Sequence, residues 1–185
     1  MTDALMVLDM QTDLLAVDGR FPVAEEQVAG LLRSTNAAIA ASHDRGAAVV
    51  YIRNAFRPWD PGNLFRRGCC VRGRPGSELD PRVRAEPGAA HFEKWRGDAF
   101  CNDELGAWLK REGVDTVVVC GVYADACVRA TVRGALRRGL RVTVLSDAVA
   151  ASSHAAREAA LDQMRRAGAT IMTVGSWLGD EGVSA

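Results

Sequence analysis

Between Thr116 and Arg138 the chain changes period once, and that change constrains the fold more than any other stretch. Thr116-Val117-Val118-Val119-Cys120 is a short apolar run rich in β-branched residues, the pattern of a strand buried on both faces of a parallel sheet. Beyond Gly121, Val128, Val132, Ala135 and Leu136 fall on one helical face, with Arg129, Arg133 and Arg137 on the opposite, wet face. Val122 to Ala126 link the two, and Cys127 falls in the first helical turn. A thiol there feels the positive end of the helix dipole beside unpaired N–H groups, which favours the thiolate. The same N–H groups suit a developing oxyanion. Cys127 is therefore the candidate nucleophile.

The rest of the chain repeats this strand–helix alternation. Ala4 to Leu8 reads as a buried strand ending in Asp9, followed by Met10-Gln11-Thr12-Asp13. Pro22 suits a first helical turn, with Val28, Leu31, Leu32, Thr35 and Ile39 as the apolar stripe, Gly46 as the stop and Ala47–Ile52 as the second strand. A short strand, Ala89–Glu93, delivers Lys94. Asn102 or Asp103 caps a helix carrying Leu105, Trp108 and Leu109 and closed by Gly113. Leu140–Leu145, a helix capped by Ser152 or Ser153 and running to about Ala167, and a last strand at Thr170–Val174 complete the count. Six strands alternating with helices predict a single three-layer α/β/α domain over residues 1–185, with a mostly parallel sheet.

Arg53 to Gly88 has no clear period, and a connection of that length in a small domain is usually functional or mobile. Between Arg53 and Arg84, eight arginines (53, 57, 66, 67, 72, 74, 82 and 84) stand against three acids (Asp60, Glu78 and Asp80). They read either as a solvated surface or as an electropositive rim for an anionic or strongly polar substrate.

At 185 residues, 48% hydrophobic, 25% charged and of zero formal charge, the chain gives no sign of a polyanion-binding protein. No apolar run approaches the length of a membrane span. Five cysteines, no C-x-x-C pair and no signal-peptide pattern point to reduced thiols and a cytoplasmic setting. Among 23 basic residues only Lys94 and Lys110 are lysines, so a lysine in a patterned segment stands out.

Asp9, Lys94 and Cys127 each follow or end a predicted strand. Taken singly, the Asp is a cap, the Lys solvated and the Cys inert core, as Cys120 is read. Together they are a carboxylate, an ammonium and a thiol at one edge of a parallel sheet, where open α/β folds bind ligands. The segments Val7-Leu8-Asp9-Met10-Gln11-Thr12-Asp13, Phe92-Glu93-Lys94 and Gly121-Val122-Tyr123-Ala124-Asp125-Ala126-Cys127-Val128 resemble, in order and spacing, three signatures of the isochorismatase-like cysteine hydrolases. That group includes nicotinamidases, N-carbamoylsarcosine amidohydrolases, ureidoacrylate and biuret hydrolases, and streptothricin hydrolase.

The resemblance implies an Asp9–Lys94–Cys127 triad, a cis peptide between Val122 and Tyr123, sheet order 3-2-1-4-5-6, and a homodimer or homotetramer. It implies an amidohydrolase in which Asp9 takes the thiol proton, Cys127 attacks a carbonyl carbon, and the N–H groups of Tyr123 and Cys127 hold the oxyanion. Departures narrow this. Arg53-Asn54-Ala55-Phe56-Arg57 lacks the Asp-x-His pair with which nicotinamidases bind metal, and His43, His91 and His154 are scattered, so neither a catalytic metal nor a cofactor is expected. Ala124 stands where many relatives carry Thr, and Trp95-Arg96-Gly97-Asp98 replaces the commoner wording after the lysine, which suggests a divergent pocket. Gln11, Asp13, Asn54, Phe56, Trp59, Trp95 and Tyr123 are the expected pocket lining, for a small amide, ureido or lactam substrate. The rival readings are hydrolysis of an isochorismate-like vinyl ether and a catalytically silent binding or scaffold protein. A nucleotide-binding fold is disfavoured because no G-x-G-x-x-G follows the first strand.

Overall fold

Alternation along the first strand sorts the core into two layers. In β1 (Thr2–Leu8) the side chains of Ala4, Met6 and Leu8 enter one apolar cluster and those of Leu5 and Val7 enter the other. The computed structural model describes residues 2–179. It pairs β1 with β2 (Ala48–Asn54) on one side and with β4 (Val114–Val122) on the other. Beyond them lie β3 (Ala90–Lys94), β5 (Arg141–Ala150) and β6 (Thr170–Met172), giving a fully parallel sheet in the order β3-β2-β1-β4-β5-β6.

One face of the sheet is covered by α3 (Asp103–Arg111), α4 (Arg129–Arg137) and α5 (His154–Arg166), through Leu105, Leu109, Val132, Ala135, Leu161 and Met164. The other is covered by α1 (Thr12–Leu15), α2 (Glu25–Asp44) and α6 (Val174–Leu178), through Leu14, Leu15, Val28, Leu31, Ile39 and Val174. Asn102 caps α3 and Ser153 caps α5, each accepting a backbone N–H two or three residues on.

Several boundaries differ from the sequence reading; the fifth strand, expected at Leu140–Leu145, continues to Ala150. Pro22 precedes α2 outside the helix, because Ala24 is its N-cap. The last strand stops at Met172: Thr173 caps a new helix with its hydroxyl, so Val174 begins α6. The second strand continues past Ile52 to Asn54, whose register partner on β3 is Lys94. Beyond Asn54 the connection holds two single 3₁₀ turns, Pro61–Asn63 and Pro75–Ser77, and the isolated bridges Phe56–Val71 and Gln11–Leu79. It is nevertheless tied down, since Cys70 N–H donates to Asp13 (2.7 Å) and Asp80 N–H to the Met10 carbonyl (2.9 Å).

At Gly121 the two central strands approach too closely for a side chain. Its φ is +116°, and a Cβ there would lie 2.0 Å from the Leu8 carbonyl oxygen. Gly121→Ala is expected to cost about 3 kcal/mol of unfolding free energy, measured by urea denaturation. A loss below about 1 kcal/mol would show that the strands can separate there without penalty.

Candidate active site

The parallel register places three chain-distant residues at one sheet edge. Asp9 directly follows β1; its N–H still bonds the Ile52 carbonyl (2.7 Å), while a φ of +53° turns the chain away from the sheet. Lys94 is the last residue of β3. Cys127 lies in a single wide turn after β4, in which Val128 N–H reaches the Tyr123 carbonyl five residues back (3.0 Å). Such turns are uncommon and recur at functional sites. The peptide bond between Val122 and Tyr123 is cis.

Asp9 and Lys94 are both fully buried, with Nζ 2.8 Å from Oδ2. The same ammonium donates to Asn54 Oδ1 (2.8 Å), the Arg96 carbonyl (3.2 Å) and Cys127 Sγ (3.2 Å). Asn54 Nδ2 faces the same sulfur at 3.9 Å. Asp9 Oδ1 is buried without a hydrogen-bond partner. Acid, amine and sulfur thus meet in one shell.

The electrostatics correct one expectation. Burial pushes the Cys127 thiol up to about 12; the Asp9 charge adds to the rise and the Lys94 ammonium opposes it. The helix terminus therefore does not hold a standing thiolate, because desolvation beside a carboxylate outweighs it. Burial also works against the Lys94 charge, but Asp9 and then Cys127 outweigh it, so the ammonium titrates at about 12.

The expected lining residues divide. Asn54 is in the site, bridging ammonium and sulfur. Gln11 is not free to meet a ligand: it accepts the Asn54 N–H (2.9 Å) and donates to the Asn54 and Ser77 carbonyls (2.9 and 2.6 Å), clamping the end of β2. Asp13 is turned towards Cys70 N–H and the Arg20 guanidinium. Phe56 lies under the Arg66 guanidinium, 3.9 Å from its ring centre. Trp59 projects to solvent at 76% exposure, and Trp95, next to Lys94, is half exposed. The Tyr123 hydroxyl donates to the Phe21 carbonyl (2.6 Å), so that end of the ring is anchored.

The arginine-rich connection is largely an ion-pair lattice rather than an open cationic rim. Arg53 pairs with Glu78 and Glu93, Arg72 with Glu93, Arg66 with Asp60, Arg82 with Asp80 and Arg84 with Glu86. The sequence count missed Glu86 and Glu93, which lie outside the span in which the arginines cluster. The positioning roles of Gln11 and of the Arg96 carbonyl were also missed; only the register of Asn54 against Lys94 points to them.

The sequence pattern of the isochorismatase domain matches residues 3–176. The chain is 33% identical to a streptothricin hydrolase of Streptomyces noursei over 78% of its own length, but spans about half the length of the streptothricin hydrolases it matches. It is 29% identical to the Escherichia coli nicotinamidase, over 94% of this chain and 96% of that one. The N-carbamoylsarcosine amidase of Thermoplasma acidophilum superposes over the whole of both chains, with a TM-score of 0.82 at 29% identity.

Cys127 and the core thiol Cys120 titrate at about 12 rather than 9.0, and Lys94 at about 12 rather than 10.5. The folded protein thus holds protons that the unfolded chain releases. Stability from these groups is complete below about pH 9 and falls as pH rises towards 12. Thermal unfolding followed from about pH 8 to about pH 11 is expected to show a falling midpoint, less steep in Cys120→Ala. A flat profile would contradict these assignments.

Proposed function

Because the chain belongs to the isochorismatase family, we propose that it is a cysteine-dependent amidohydrolase. It cleaves a C–N bond of a small polar amide, ureido or lactam compound through a thioester. The observation that carries this reading is the Lys94 ammonium in contact with both the Asp9 carboxylate and the Cys127 sulfur.

Asp9, whose Oδ1 has no other partner, accepts the thiol proton as sulfur attacks the carbonyl carbon. A thiol titrating near 12 needs such a base, since little thiolate exists beforehand at neutral pH. The Tyr123 and Cys127 N–H groups hold the oxyanion. Collapse expels the amine, which takes the proton from Asp9, and Asp9 then activates water against the thioester. Lys94 keeps the carboxylate in place and balances charge at the sulfur. Asn54 holds Lys94 and the thiol in register, while Phe56, Trp95 and Tyr123 border the substrate. The relatives named for nicotinamide and N-carbamoylsarcosine support an amide or ureido substrate.

Incubation with a panel of small amides and ureides should release ammonia. Cys127→Ala is expected to abolish it, lowering kcat about 10⁴-fold or more, and to remove the acyl-enzyme seen by intact-mass measurement. Turnover surviving in Cys127→Ala would favour vinyl-ether hydrolysis, and a chain that neither turns over nor acylates would favour a silent binding protein.

We also propose a cytoplasmic homodimer or homotetramer. No helix among the described residues is long and apolar enough to cross a membrane. Trp59, Leu64 and Phe65 expose 76%, 82% and 85% of their surface on one connection, which supports assembly through it. Sedimentation should give a multimer that Leu64→Asp together with Phe65→Asp converts towards monomer; a monomeric parent would refute this.

A further inference from the structure

Where the long connection crosses α1, two adjacent thiols and a carboxylate are sealed together outside the catalytic triad. Cys69, Cys70 and Asp13 are each at most 5% exposed, and one donor atom from each lies within 4.8 Å of the other two. The two sulfurs are 3.4 Å apart. Asp13 is held from several sides. Its Oδ2 accepts the Cys70 N–H (2.7 Å), the Arg20 guanidinium stands 3.8 Å from Oδ1, and Gly76 packs so tightly that a Cβ there would fall 2.1 Å from Oδ1. Cys70 has a φ of +52°, a backbone conformation rare outside glycine. The hydrolytic mechanism uses none of these groups.

We propose that Asp13, Cys69 and Cys70 form a binding site for one thiophilic divalent cation of the zinc class, which fastens the 53–88 connection to α1. Zinc sits about 2.3 Å from thiolate sulfur, so sulfurs 3.4 Å apart subtend about 95° at the metal, and a parting of the sulfurs by about 0.4 Å reaches the tetrahedral angle. A carboxylate oxygen makes the third ligand and water the fourth. Two sulfurs to one oxygen select against magnesium and calcium, which require oxygen ligands. The bound cation also replaces the Arg20 guanidinium as the charge opposite Asp13.

The site is wired to the catalytic edge through the backbone. The Cys70 carbonyl accepts the Phe56 N–H (3.0 Å), two residues beyond Asn54, and both cysteines share an apolar cluster with Tyr123. Occupancy therefore stiffens the segment that presents Asn54. The inference does not depend on which bond the protein cleaves.

The test titrates Cd²⁺, and separately Zn²⁺, into freshly reduced protein carrying Cys101→Ser and Cys127→Ala, which removes the two more accessible thiols. Expected are one cation per chain by calorimetry, a thiolate-to-cadmium charge-transfer band of two-sulfur intensity, and a raised unfolding temperature with Zn²⁺. Cys69→Ser and Asp13→Asn should each weaken binding about tenfold or more. If Cys70→Ser fails to fold, the two-sulfur band and Asp13→Asn still decide. The proposal is overturned by absence of the band at saturating Cd²⁺, by undiminished binding in Cys69→Ser, or by reduced protein that takes up no cation and only forms a Cys69–Cys70 disulfide in air.

Discussion

A carboxylate and an ammonium, both fully excluded from water, stand 2.8 Å apart at the end of the sheet, and the surrounding architecture is arranged to make that tolerable. Removing one partner of such a pair typically costs about 3–5 kcal/mol, because the survivor is left buried and uncompensated. Here the compensation is geometric. β1 and β3 are not paired with each other, yet both pair with β2, which sets Asp9 and Lys94 on either side of Asn54. The ammonium has four acceptors around its three N–H groups: Asp9, Asn54, the Arg96 carbonyl and the sulfur. A planar guanidinium spreads its donors in one fork and does not suit acceptors gathered about a point, which explains a lysine in a chain that otherwise uses arginine.

The same enclosure sets how the sulfur would be activated in the proposed reaction. Burial and the Asp9 charge keep the thiol protonated, while Lys94 pulls the other way. The arrangement is suited to concerted proton transfer, with the base already in place and a fixed cation to stabilise the charge that appears on sulfur. A resting thiolate would be exposed to oxidation and alkylation at all times; in the proposed mechanism the thiol ionises only as the substrate carbonyl arrives, and its own environment protects it until then.

Much of this was legible in the residues. The apolar runs that precede Asp9 and Gly121 mark β1 and β4 as strands buried on both faces, and Lys94 closes β3. What failed to read was polar residues doing backbone work. Arg53 and Asn54 look like the start of a loop, but they continue β2 because β3 supplies their pairing. Gln11 and Asp13 look ligand-facing beside Asp9, yet their polar atoms are taken up by the end of β2 and by the long connection. Val174 extends an apolar run, and only the Thr173 hydroxyl on the Ser176 N–H reveals a helix. In each case the deciding partner is distant in sequence or is a main-chain group, and neither leaves a mark on local periodicity.

The pairing of Leu8 with Gly121 joins residues more than a hundred positions apart, at the centre of the sheet and at the mouth of the site together. Contacts of such long range are slow to form, since a large loop must close before they are rewarded. A nascent or partly denatured chain in which β1 and β4 have not met holds its sulfur and its carboxylate apart. For the hydrolase proposed above, chemical competence is thereby locked to completion of the fold, and turnover becomes a gauge of how many molecules have closed their central seam.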